Sequence, residues 1–202
     1  MKKLIVALCL VVISACSNKD QFVLNGTLTN SENIKKVFLY EGAQIVDSAF
    51  LNEDNKFRFR RTAPSPQFYN LKVGDNNYFF VLVNGEEVTF KANLKDPTGN
   101  YELEGSEISS KIKEFSEINN HYSNISKEIE GEFQVRLGKE PGREKEIRDE
   151  LFIKYKANLE AFSKDVLAFA HKNTDNLAGF YAIGSLDPVE YEQDMMEYAD
   201  AI

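Results

Sequence analysis

One change of apolar rhythm divides this chain. From Phe22 to about residue 105, apolar side chains come in short runs or at every second position; from Ile108 onward they recur at steps of three and four. A period of two sends alternate side chains to opposite faces of a strand, whereas a period near 3.6 draws a stripe along a helix. No single element satisfies both. The expected class is therefore α+β: an N-terminal antiparallel β-sandwich or open barrel, residues 22–105, followed by a helical region, residues 106–202.

Eight short β-rich runs fill the first part: Phe22 to Thr29, Val37 to Tyr40, Ile45 to Leu51, Lys56 to Arg60, Phe68 to Val73, Tyr78 to Val83, Val88 to Ala92 and Tyr101 to Glu104. Turn residues separate them, and Asn84-Gly85 is the sharpest because both tolerate positive φ in a two-residue hairpin. Within Lys56-Phe57-Arg58-Phe59-Arg60 the alternation is strict, so Phe57 and Phe59 face a core and the cations share the other face. That basic stripe reads as a solvated sheet face. The chain carries 24 Lys plus Arg against 32 Asp plus Glu, a formal charge of −8, which disfavours phosphate neutralisation and hence a nucleic-acid partner. Tyr78-Phe79-Phe80 reads as the core and rim of a sheet.

In the second part, Ile108, Ile112, Phe115, Ile118, Tyr122, Ile125, Ile129, Phe133 and Leu137 lie on one helical stripe, with Ser106 as N-cap and Gly138 as stop. Gly131 is expected to break or kink that helix. After Pro141-Gly142 the period resumes with Ile147, Leu151, Tyr155, Phe162, Val166 and Phe169. Two such helices should fold back as an antiparallel hairpin, each covering the other's stripe. A short helix follows at Leu177 to Ile183. Asp187-Pro188-Val189-Glu190 then opens a last one, with Asp at the N-cap and Pro at the first helical position. Its stripe of Tyr191, Met195, Tyr198 and Ile202 runs to the final residue, as expected of a helical region that precedes a further domain.

The N-terminus reads as an address. Lys2 and Lys3 precede a ten-residue apolar run, Leu4 to Ile13, too short to span a bilayer, which makes residues 1–15 a leader. The boundary Ile13-Ser14-Ala15-Cys16 resembles the lipobox of bacterial lipoproteins. That resemblance implies cleavage before Cys16, acylation of its thiol, and a polar tether over residues 16–21. Several acyl chains hold far more firmly than one, at about 0.8 kcal/mol per buried methylene. The expected location is the bacterial cell envelope, facing the periplasm on the outer membrane.

Catalytic material is scarce. Both cysteines, Cys9 and Cys16, lie in the first 16 residues, so the remainder holds no C-x-x-C, no internal disulfide and no cysteine zinc site. There is no G-x-S-x-G elbow, Gly-rich phosphate loop or H-E-x-x-H. His121 and His171 stand on the two long helices without a second ligand at metal spacing, and His171 suits the dipole of a last helical turn. Sequence reading therefore names no catalytic, cofactor-binding or metal residue, and only Cys16 as a modified one.

The lipobox, the F-x-L-x-G-x-L opening at Phe22, the segment from Asp47-Ser48 to Phe57-Phe59, the helical pair and the L-D-P-x-E-Y stretch from Leu186 to Tyr191 resemble the N-terminal half of Bacteroidota thiol-disulfide oxidoreductase lipoproteins. In that family a β-domain of unknown function precedes a thioredoxin-like domain of the TlpA/ResA type, whose C-x-x-C carries the reaction. The resemblance implies a lipid-anchored, non-catalytic accessory module serving cell redox homeostasis, with a protein partner or a homodimer formed through the helical region. The alternative expectation is a stand-alone envelope lipoprotein that binds a small ligand or glycan between sheet and helices.

Overall fold

The computed structural model describes residues 19–202. The leader, Cys9, Cys16 and the lipobox lie outside the described residues. Eight strands come first: β1 (Phe22–Thr29), β2 (Lys36–Glu41), β3 (Gln44–Phe50), β4 (Lys56–Arg61), β5 (Gln67–Val73), β6 (Asn76–Leu82), β7 (Glu87–Asn93) and β8 (Tyr101–Glu104). Four helices follow: α1 (Glu107–Lys139), α2 (Glu144–Lys172), α3 (Leu177–Ile183) and α4 (Glu192–Asp200). The fold is α+β, as the change of rhythm implies.

The strands form two four-stranded sheets, ordered β4-β1-β7-β8 and β3-β2-β5-β6, with no closed barrel. All neighbours are antiparallel except β1 and β7, which run parallel. No hairpin sets the relative direction of those two, because five strands separate them in sequence. Phe22 and Leu24 from β1, Phe57 and Phe59 from β4, Leu71 from β5, Phe80 from β6 and Phe90 from β7 meet in the core between the sheets. Each such side chain contributes about 1.5–3 kcal/mol through burial. The glycine in F-x-L-x-G-x-L has a steric cause: Gly26 pairs with Phe57 across β1 and β4, and a Cβ there would lie 1.9 Å from the Phe57 ring.

Asn84-Gly85 makes a turn, with Gly85 at φ +90°, but not the expected hairpin. β6 and β7 belong to different sheets, so the turn carries the chain across the sandwich. The Asn84 amide oxygen accepts from the Ala63 N–H at 2.6 Å, and the Asn84 N–H donates to the Ala63 carbonyl at 2.8 Å. β7 is claimed by β1 on one side and β8 on the other. The free edge of β6 is met by α1 instead: Ser109 Oγ donates to the Val81 carbonyl at 2.7 Å and accepts from the Val81 N–H at 3.0 Å.

A second core forms on the outer face of this sheet, where Val81 packs with Ile112, Phe115, Val166, Phe169, Ala182 and Tyr198. The C-terminal part of β6 is therefore buried on both faces, with Phe80 and Leu82 inside the sandwich and Val81 under the helices. Helix α1 starts from the expected N-cap, Ser106, which accepts from the Ser109 N–H. It runs unbroken through Gly131, contrary to the expected break, and ends at Lys139 rather than Gly138. Gly131 has open space around it, and its cost of about 1 kcal/mol does not outweigh the turns on either side. The last helix also starts later than expected. Asp187 accepts from the Val189 and Glu190 N–H groups and so caps a single turn; α4 begins at Glu192 and ends at Asp200, leaving Ile202 outside it and largely exposed.

Candidate functional site

Among the described residues no group of three His, Cys, Asp or Glu side chains converges as a metal site, and no helix is long and apolar enough to cross a membrane. His121 and His171 are both exposed and stand on different helices; His171 occupies the last turn of α2, with its ring 6.1 Å from that of Tyr198. The exposed Lys56, Arg58 and Arg60 share the solvent face of β4 while Phe57 and Phe59 are buried, so no aromatic ring interleaves with that basic stripe. Phe79 is partly exposed between buried Tyr78 and Phe80, as a sheet rim requires.

The feature that asks for a partner lies on the hairpin. After Phe115 no residue of α1 is buried; Ile118 still packs at the margin of the helical core, and the turns beyond it meet α2 without forming a full core. Polar bonds hold the pair. The buried Asn158 donates through Nδ2 to the Tyr122 carbonyl and to Ser126 Oγ, each at 3.0 Å. Tyr122 stacks edge-on against Phe162 and donates to Asp165 at 2.6 Å, a bond that lifts its phenol above the ordinary value. At the turn, Arg136 binds Glu140 at 3.0 Å and Glu150 at 2.7 Å, which raises its pKa further.

The hairpin covers only part of its apolar surface. Ile147, Leu151, Val166 and Phe169 turn inward as expected, but Tyr155 does not. Phe152, Tyr155 and Leu159 form a second stripe on α2, exposed to 61%, 39% and 42%, with Ile153 beside it at 71%. Two grooves flank this ridge. One, of about 540 Å³, runs between the helices past Ile129, Phe133 and Leu151; the other, of about 460 Å³, runs towards Leu186 and Tyr191. Phe152 and Tyr155 line both. Spacings of three and four between Phe152, Tyr155 and Leu159 were the available sequence signal, masked by the stronger stripe one step away.

Residues 22–112 match a family model described as a domain of unknown function, DUF4369. No curated protein matches the chain, and no solved structure does. The DUF4369 match takes in all eight strands and ends at Ile112, past Ser106 and Ser109, the residues that close the edge of β6. The helical ridge lies beyond it. Nothing in the match links the domain to thioredoxin-like proteins.

Proposed function

We propose that the chain is a membrane-tethered, non-catalytic docking module: acylated at Cys16, it holds a protein partner against the α2 ridge. The partner is a protein with a thioredoxin-like, C-x-x-C-bearing domain, the class of domain that follows the helical region in the family the sequence resembles. The observation that supports docking is the exposed run of Phe152, Tyr155 and Leu159 between two grooves. Large apolar patches of this kind are scarce on monomeric surfaces and mark interaction sites. The leader pattern before Cys16 supports the tether.

In-cell photo-crosslinking tests the reading. A benzoylphenylalanine at position 152 should capture a protein whose mass-spectrometric sequence contains C-x-x-C, while the same probe at Phe50, even more exposed on the sandwich, should not. Capture of a second copy, or equal capture at both positions, overturns it. The tether has its own test: Cys16→Ala should move the protein from the membrane fraction to the soluble fraction.

A further inference from the structure

A separate pair of grooves lies where the β7–β8 loop approaches α1, and it shares no residue with the α2 ridge. The first, about 350 Å³, is bounded by Asn100 and Tyr101 on one side and by Lys113, Glu117, Asn120 and Asn124 on α1. The spacing of those four puts them on one helical face. The second, about 320 Å³, continues past Asn100 and Tyr101 to Thr27, Thr29 and Asn93 on the sheet. Asn100 and Tyr101 line both, so the two form one track.

Its walls are fixed and its polar groups are left over. Asp96 accepts from the Thr98 N–H and hydroxyl, which sets the loop, and Asn100 Oδ1 accepts from the Tyr101 N–H. The Tyr101 ring rests on Tyr78 and Phe90. Among the described residues, the Asn120 and Asn124 amides, Asn100 Nδ2 and the Tyr101 hydroxyl make no hydrogen bond. An amide offers a donor and an acceptor side by side, which matches the paired hydroxyls of a sugar ring. Charge is mostly balanced: Lys113 pairs with Glu117, Lys91 pairs with Glu102 at 3.0 Å, and Asp96 is occupied by Thr98. Both lysines along the track are held by carboxylates, and His121 adds an imidazole to the α1 wall. The available groups on both walls are side-chain amides and hydroxyls; β8 is the edge of its sheet, but at four residues it offers an extended peptide only a short row of backbone groups.

We infer that the track spanning Asn100 and Tyr101 binds a neutral oligosaccharide, with Asn120 and Asn124 reading its hydroxyls from α1. Amide NMR of the ¹⁵N-labelled chain, titrated with maltotetraose, cellotetraose and chitotetraose, tests this. At least one should give saturable shifts at Asn100, Tyr101 and the Asn120 and Asn124 side-chain amides, while tetragalacturonate should give none. Asn120→Ala with Asn124→Ala, two exposed helical positions whose replacement favours helix, should weaken binding at least ten-fold while the other resonances stay in place. The inference falls if all three neutral probes give no saturable shifts, if the shifts map to α2, if tetragalacturonate binds as well, or if the double variant binds unchanged.

Discussion

Ser109 shows how one hydroxyl decides where a helix stands. It answers both the N–H and the carbonyl of Val81, a residue 1% exposed on a strand edge that no other strand covers. Ser109→Ala leaves the Val81 N–H buried and unpaired, although Ser106 Oγ still reaches the carbonyl at 3.2 Å. The expected loss is about 1–3 kcal/mol, read from urea unfolding. Glu86, in the turn between β6 and β7, works the other way. Burial lifts its carboxyl above the ordinary 4.5, although Ser106 and the Val83 N–H oppose the shift. The unfolded chain therefore releases this proton first as pH rises. The contribution to stability is full below the ordinary value and is lost as pH climbs through the raised one. Glu86→Gln keeps an acceptor for the Val83 N–H and removes that loss. Its melting temperature should exceed the parent's at pH 7, and the gap should close below about pH 4. Both residues were out of reach of sequence reading: Ser106 was legible as a cap from its position, but the bonds from Ser109 to Val81 span 28 residues and depend on which strand is left at an edge.

The strands and helices were legible because period alone distinguishes them, and all eight runs and the first three helices lie close to where the pattern puts them, while the last helix starts later and ends earlier. What pattern could not supply was partnership. Asn84-Gly85 carries the signal of a hairpin, yet local turn chemistry says only that the chain reverses, not that the flanking strands pair. β6 was legible as a strand, but burial of its second face needed knowledge of α1. Helix α2 repeats the lesson: its two apolar stripes overlap in sequence, and the buried face includes Asn158, whose polarity hides it from a hydrophobic count. Asn158→Ala should cost about 1–3 kcal/mol, since the Tyr122 carbonyl and Ser126 lose a buried donor. Phe152→Asp with Leu159→Asp, by contrast, should leave unfolding within about 0.5 kcal/mol of the parent, because those side chains are exposed. An equal loss in the two variants, measured by urea unfolding, would mean that the ridge is part of the hairpin's own core.

At the scale of the molecule there are two apolar cores, one inside the sandwich and one between sheet and helices, joined through β6. The packing predicts that the dependence between them runs mainly one way. The sandwich closes on its own two sheets, whereas the helical core has Val81 and Phe68 of the sheet as its floor. The DUF4369 boundary agrees with this asymmetry, since it retains Ser106, Ser109 and Ile112, the part of α1 that serves the sheet. Phe115 sits just past the boundary, with its ring 5.5 Å from Phe169 and 5.7 Å from Tyr181. Phe115→Ala should remove about 3–5 kcal/mol from the helical core and leave the sandwich standing. Native-state hydrogen exchange separates the outcomes: amides of α2 and α3 should lose protection while those of β1 and β7 keep the parent's values. Leu71→Ala, inside the sandwich, should lower protection in both regions, by about 2–5 kcal/mol, because α1 loses its footing when β5 and β6 open. If Phe115→Ala instead drains β1 and β7 as much as α2, the two cores are one cooperative unit, and the sandwich does not stand without its helices.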